Sequence, residues 1–353
     1  MTLTLDLRSF RLPLRTPLAT AHGGRTAVEG LLLRVRDGEG RVGLGEVTPC
    51  PGFGTESLPE AAEALGAVRM ARAPASLEDI GQATVQLGAR PAARAGVELA
   101  LLDLLARTRG VPLCRLLGAP GAGPVGVNAL LGATSAAELA EQGRAAVDAG
   151  FRTLKVKVGT LPAEEDAARL AALRSAVGAQ VRLRVDANAG WSEPEARRRL
   201  AQLARSGLEY AEQPVAAPDV AALRRLRAVA PVAADEALGR PGGAEAVLDG
   251  ELGPAADVLI LKLPVLGGIL PALRLAGRAR ARGLEVVLTS ALDGAVLRAA
   301  GAHLALALGN GKDHGLATGV LLVEDPGAYR LSDGLLHVPD LPGLGIAPEV
   351  LGW

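Results

Sequence analysis

Hydrophobic and polar positions alternate along residues 2–14 and 28–37 and again over 41–47, the period of strands with one buried face. Asp37-Gly38-Glu39-Gly40, between the last two, predicts a hairpin turn. The period then lengthens. Stretches near 57–71, 76–87 and 91–109 read as helices, the last with Val97, Leu101, Leu104 and Leu105 on one face. Three strands followed by helices predict a small α+β unit over residues 1–120. Beyond Gly118-Ala119-Pro120-Gly121, short apolar runs alternate with Ala-, Leu- and Arg-rich helical stretches about every 25 residues. The runs are 124–130, 152–158, 181–186, 208–212, 231–235, 256–262, 285–289 and a weak one near 313–317. Helices are expected between them, for example over 135–149, 163–177, 192–206 and 267–282. Eight such units over residues 121–320 predict an α/β protein: a (β/α)8-type, modified TIM barrel behind an N-terminal α+β capping domain. Residues 321–353, rich in Gly and Pro, are expected to return to the cap.

Composition narrows the function. The 38 basic and 38 acidic residues cancel, and only seven residues are aromatic. Nucleic acid is excluded, since it demands a positive footprint and stacking platforms. A membrane surface is equally unsupported, and no window reaches the roughly eighteen apolar residues of a membrane span. Two cysteines, Cys50 and Cys114, are too few for a disulfide framework, and the first twenty residues lack an apolar signal core. The expected location is the cytoplasm. Lysine is scarce: Lys155, Lys157, Lys262 and Lys312 are the only four. Arginine cannot replace an amine that must lose its proton, so the places where lysine persists are informative.

In a barrel of this type, chemistry sits at the C-terminal ends of the strands. The expected ends are Lys155-Val156-Lys157, Asp186-Ala187-Asn188, Glu212-Gln213-Pro214, Asp235-Glu236 and Lys262. Asp186, Glu212 and Asp235 are 26 and 23 residues apart, one βα unit each. Three converging carboxylates repel one another unless a hard cation joins them. All-oxygen ligation suits Mg²⁺, or Mn²⁺, rather than zinc. Alternation puts Lys155 and Lys157 on the inner side, with Lys262 across the metal from Lys157. Repulsion among the lysines would lower an amine's pKa to about 7–8 and make it a base.

This set, in this order and spacing, resembles the muconate-lactonising subgroup of the enolase superfamily over essentially the whole chain. The resemblance implies a metal-bound substrate carboxylate whose α-proton is removed to give an enediolate. It implies Asp186, Glu212 and Asp235 as metal ligands, Lys157 as base, Lys262 as its opposite number and Lys155 as a supporting cation. Asn188 and Glu236 would hold the ligands in place. Thr289-Ser290-Ala291-Leu292-Asp293-Gly294, Asp313-His314-Gly315-Leu316-Ala317-Thr318-Gly319 and the closing Leu341-Pro342-Gly343-Leu344-Gly345 look like o-succinylbenzoate synthases. Gly294 stands where Ser or Thr is expected, and the Asp-x-Asp pattern by which dipeptide epimerases bind an amino group is missing. The function so implied is a lyase of the carbon–oxygen class. It would dehydrate 2-succinyl-6-hydroxy-2,4-cyclohexadiene-1-carboxylate to 2-succinylbenzoate for menaquinone synthesis. An N-acylamino acid racemase or dipeptide epimerase is the alternative, and a silent carboxylate-binding barrel the third reading. The expected partner is a small carboxylate substrate, and by analogy the chain forms a homo-oligomer.

Four further residues are candidates for substrate contact. Arg184 lies two positions before Asp186 and is expected to point into the same mouth; Ser290 follows the seventh strand. His22 and Phe53 belong to the Gly/Pro-rich cap loops Pro17 to Gly24 and Cys50 to Ser57, placed to close the site. His303, in an apolar helix, reads as structural.

Overall fold

The computed structural model describes residues 3–20, 23–70 and 72–353. The N-terminal strands β1 (Thr4–Thr20), β2 (Gly23–Arg36) and β3 (Val42–Val47) form an antiparallel sheet in that order. The β2–β3 turn is closed by Asp37, whose Oδ1 accepts from Glu39 N at 3.0 Å and Arg41 N at 2.9 Å. Helices Leu58–Ala67 and Leu77–Thr84 each begin with a capping box, Ser57 with Glu60 and Ser76 with Asp79. Helix Pro91–Thr108 is buried almost all round and lies on β3. Gly43 and Gly45 allow the approach: a Cβ at either would meet the carbonyl of Ala100 or Gly96 at 2.0 and 2.1 Å.

The barrel sheet is parallel and seven-stranded: β5 (Ala129–Leu131), β6 (Thr153–Lys157), β7 (Arg182–Asp186), β8 (Leu208–Glu212), β9 (Val232–Ala234), β10 (Val258–Leu261) and β11 (Glu285–Leu288), neighbours in chain order. Two expectations are corrected here. The run 124–130 is split: β4 (Pro124–Gly126) leaves the barrel to pair with β13 (Leu335–His337), itself hairpinned to β12 (Arg330–Ser332), and only β5 joins β6. The eighth run, 313–317, forms no strand. His314 bridges Val127 and Gly315 bridges Thr289, so two residues span both sheet edges before the chain enters the 3₁₀ turn Ala317–Leu321. The curled sheet is closed through these bridges. The end of the chain touches the N-terminal layer: Leu322 bridges Leu14, Gly343 bridges Pro112, and Leu344 N donates to Asp103. Among the described residues no helix is long and apolar enough to cross a membrane.

Buried carboxylates join the two layers at helix N-termini. Glu98, on helix Pro91–Thr108, accepts from Leu270 N at 3.1 Å at the start of helix Ile269–Ala281, and its Oε1 has no partner. Burial pushes its carboxyl up to about 7, against the pull of those amides and of Arg94 and Arg274. The folded state thus holds a proton that the unfolded chain releases near 4.5. Stability is therefore expected to fall as pH rises from about 4.5 to about 7, by on the order of 3 kcal/mol from this group. Glu98→Gln should flatten that part of the curve in denaturant titrations; parallel curves for the two proteins would refute it.

Candidate active site

Ladder register brings the expected strand ends to one level. Lys157 pairs with Asp186 across β6 and β7, and Asp186 with Glu212 across β7 and β8. Asp235 and Lys262 directly follow β9 and β10. Three acidic strand ends therefore form an arc, with a lysine-bearing strand at each side. Lys155 Nζ bridges Asp186 Oδ2 at 2.9 Å and Glu212 Oε1 at 2.7 Å. Lys262 Nζ pairs with Asp235 Oδ2 and lies 3.7 Å from the centre of the Phe53 ring. Lys157 differs: its Nζ donates to the Asn188 amide oxygen at 2.8 Å, and among the described residues no carboxylate forms an ion pair with it.

The backbone around the arc is unusual. Asn188, Ala189, Gln213 and Leu292 have φ of +46°, +59°, +36° and +65°, conformations that non-glycine residues hold only when their surroundings enforce them. At the ends of β7 and β8, two side chains brace this backbone, those of Asp186 and Gln213. Asn188 N donates to Asp186 Oδ1 at 3.0 Å. Gln213 Oε1 accepts from Asp235 N at 3.0 Å and Ala237 N at 3.2 Å, while its Nε2 donates to Val215 O at 2.9 Å. Gln213 thus couples the end of β8 to the turn that presents Asp235.

All of these carboxylates are buried. Burial pushes Glu212 up to about 7, with Lys155 opposing and Asp186 and Asp235 adding repulsion. Burial also raises Asp235, against Lys262. For Asp186 burial is outweighed by Lys155, Lys157 and Lys262, which hold its carboxyl below the usual range. The expectation of depressed lysines is corrected for two of them. Burial works against the charges of Lys155 and Lys262, but the adjoining carboxylates win and raise both. Mutual repulsion among the lysines is the smaller effect.

A cavity of about 550 Å³ opens on this arc. Of the expected site residues, Lys155, Lys157, Lys262, Asp186, Glu212, Asn188, Glu236, Ser290 and Phe53 line it, and Asp235 does not. Ser290 Oγ accepts from Asp293 N, which shapes the loop after β11. Glu236 was expected to hold the ligands, yet its Oε2 is buried with no partner. His22 lies outside the described residues. Arg184 is a correction: it does not reach the cavity. It sits one layer below Asp186, completely buried, held by Glu209 at 2.7 Å, Asn128 at 3.1 Å and the Asp313 carbonyl at 2.8 Å, over the Tyr210 ring. His303 is structural, its Nδ1 accepting from Cys114 N and its Nε2 meeting the Tyr329 hydroxyl. Sequence reasoning missed Gln213 as a positioning group, and it missed Arg25 and Thr318 in the cavity wall. Only Gln213 carried a signal, its place between Glu212 and Pro214.

The donor set suits a hard divalent cation: three buried carboxylates from adjacent strands, two of them raised toward protonation, with a buried Glu236 oxygen that has no partner. As they stand, no three such groups among the described residues already surround one point, since Lys155 and Lys262 lie against them. A cation would compete with these amines for the same oxygens.

Known proteins resemble this chain in sequence and fold. The enolase C-terminal domain-like family matches residues 138–350, and the mandelate racemase / muconate lactonizing enzyme N-terminal domain matches residues 3–118. The L-Ala-D/L-Glu epimerase of Clostridium acetobutylicum is 31% identical over 347 residues, 95% of this chain and 95% of its own length. The N-succinyl Arg/Lys racemase of Bacillus cereus superposes with a TM-score of 0.89 at 27% identity, covering 99% of this chain and 97% of that one. The dipeptide epimerase of Enterococcus faecalis, in complex with Mg and L-Leu-L-Tyr, superposes with a TM-score of 0.88 at 29% identity, covering 98% and 100%. The expectation of a carbon–oxygen lyase is overturned by these relatives, which are epimerases and racemases; muconate cycloisomerases, also among the matches, are isomerases too. They support neither the o-succinylbenzoate reaction nor a part in menaquinone synthesis. The cap, the curled parallel sheet and both family matches agree: this chain belongs to the mandelate racemase / muconate lactonizing enzyme family of the enolase superfamily.

Proposed function

We propose that this protein is a racemase or epimerase that inverts the α-carbon of a small carboxylate substrate, an N-acylated amino acid or a dipeptide. The observation that carries the reading is the pair of lysines flanking the acidic arc, Lys157 on β6 and Lys262 after β10, with three acid-bearing strands between. Inversion at carbon requires a proton to leave one face and another to arrive on the opposite face. A single base cannot do both.

Asp186, Glu212 and Asp235 are the residues that would hold Mg²⁺. When bound, the ion would supply positive charge that makes a C–H beside the substrate carboxylate more acidic. Lys157, steered by the Asn188 amide oxygen and without a carboxylate ion pair among the described residues, takes the proton on its side. Lys262, fixed between Asp235 and the Phe53 ring, delivers a proton on the other. Lys155 stays between Asp186 and Glu212 and offsets their repulsion. Gln213 and Asn188 keep the arc in register, so little reorganisation is needed as charge develops.

The test is exchange in heavy water. With Mg²⁺, acylated amino acids or dipeptides should gain deuterium at Cα and lose optical purity. Chelation should stop both, and added Mg²⁺ restore them. Absence of exchange across a panel of both substrate kinds would refute the proposal.

A further inference from the structure

The acidic groups of the cavity are confined to the strand ends. Asp186, Glu212 and Glu236 all lie there with the three lysines. Much of the remaining wall is apolar, with half-buried Leu130, Phe151, Leu292 and Leu331 lining the space. Asn128, Thr289, Ser290, Thr318 and Arg25 interrupt it with polar side chains, none of them acidic. Thr318 Oγ1 is buried and has no hydrogen-bond partner. Arg25, from β2, lines the cavity within reach of the Ala291 carbonyl (3.5 Å) and brings positive charge. Among the described residues no carboxylate belongs to this part of the wall.

We infer that the substrate's α-nitrogen carries an acyl group with no amino group of its own: an N-acyl amino acid rather than a dipeptide with a free amino terminus. This rests on the racemase reading and narrows it. An ammonium has three donors and a full charge, and burying it against apolar walls without a carboxylate is strongly unfavourable. Arg25 adds repulsion. An amide-linked acyl group presents apolar carbon to Leu130, Phe151 and Leu331 and asks for few hydrogen bonds, of which the unused Thr318 hydroxyl can supply one. The charged strand ends serve the carboxylate that every substrate of the reaction shares, so selection between the two classes falls to the rest of the wall, which holds no carboxylate among the described residues.

A matched pair isolates the point. N-propionyl and L-alanyl derivatives of the same L-amino acid differ only by the ammonium on the acyl group. Across a panel of side chains, Mg²⁺-loaded enzyme in heavy water should exchange the propionyl compounds with kcat/KM at least 100-fold above their alanyl partners. Equal or faster exchange of the alanyl compounds overturns this inference and leaves the racemase reading intact. Exchange of neither overturns the racemase reading itself. Thr318→Asp, which places a carboxylate in the bare wall, should raise the alanyl-to-propionyl ratio at least tenfold; an unchanged ratio in a variant still active on propionyl substrates counts against the inference.

Discussion

Lys157→Ala and Lys262→Ala are each expected to lose inversion by about 10³-fold, within the 10²- to 10⁴-fold range of a positioned acid or base, while keeping one half of the reaction. The lysines stand at opposite sides of the arc, so each serves one face of the α-carbon. Without Lys262, Lys157 can still remove and return a proton on its own side, and deuterium should enter one enantiomer without racemisation. Without Lys157, the other enantiomer alone should exchange. The readout is deuterium content resolved by enantiomer, which a general loss of folding would not split in this way. Mg²⁺ affinity should survive in both variants, since Lys157 contacts Asn188 and not a carboxylate, and Lys262→Ala frees an Asp235 oxygen. Racemisation within tenfold of the unmodified protein in either variant would remove that lysine from the mechanism.

The acidic arc was legible because each member ends its own βα unit, so sequence spacing translates directly into neighbouring strands. Depth within the barrel was not legible. Alternation correctly turned Arg184 inward, but one step of two residues is about 6–7 Å, enough to take it from the mouth into the layer below. The groups that hold it there come from 25, 56 and 129 residues away, beyond any local pattern. The lysine charges were misjudged for a related reason. Counting cations along the strands omits the carboxylates that the fold brings within 3 Å of Lys155, and these reverse the sign of the effect. The lyase reading failed at a different level. The same lysine and carboxylate core serves several reactions, and the segments after the last strands, which distinguish them, hold few residues of clear chemical meaning. The weak run 313–317 contained too little strand pattern to show that only His314 and Gly315 would bridge the edges.

Gly294, the residue that departs from the expected Ser or Thr, leads to the largest stability effect outside the site. Glu46, on β3, is completely buried and reaches the first turn of helix Ala295–Leu308. Its carboxylate accepts from Gly294 N at 2.6 Å, Val296 N at 3.1 Å, Leu297 N at 3.2 Å and the Thr48 hydroxyl at 2.7 Å. A Cβ at position 294 would lie 2.7 Å from Glu46 Oε2, so the carboxylate and a side chain there exclude each other. Glu46→Ala strands three buried amide donors at a helix N-terminus and should cost about 3–5 kcal/mol. Glu46→Gln keeps one oxygen but turns an NH₂ toward amides that also donate, so it should fall between the two. Gly294→Ala in the natural background should cost about 1–3 kcal/mol through overpacking, and much less when Glu46 is already Ala. Denaturant unfolding of the four proteins in that cycle measures the coupling. Additive losses, or a Glu46→Ala variant within 1 kcal/mol of the natural protein, would show that the contact does not hold cap and barrel together. Since the same helix follows the loop bearing Ser290 and Leu292 on the cavity wall, a loosened Glu46 should also weaken substrate binding before it unfolds the chain.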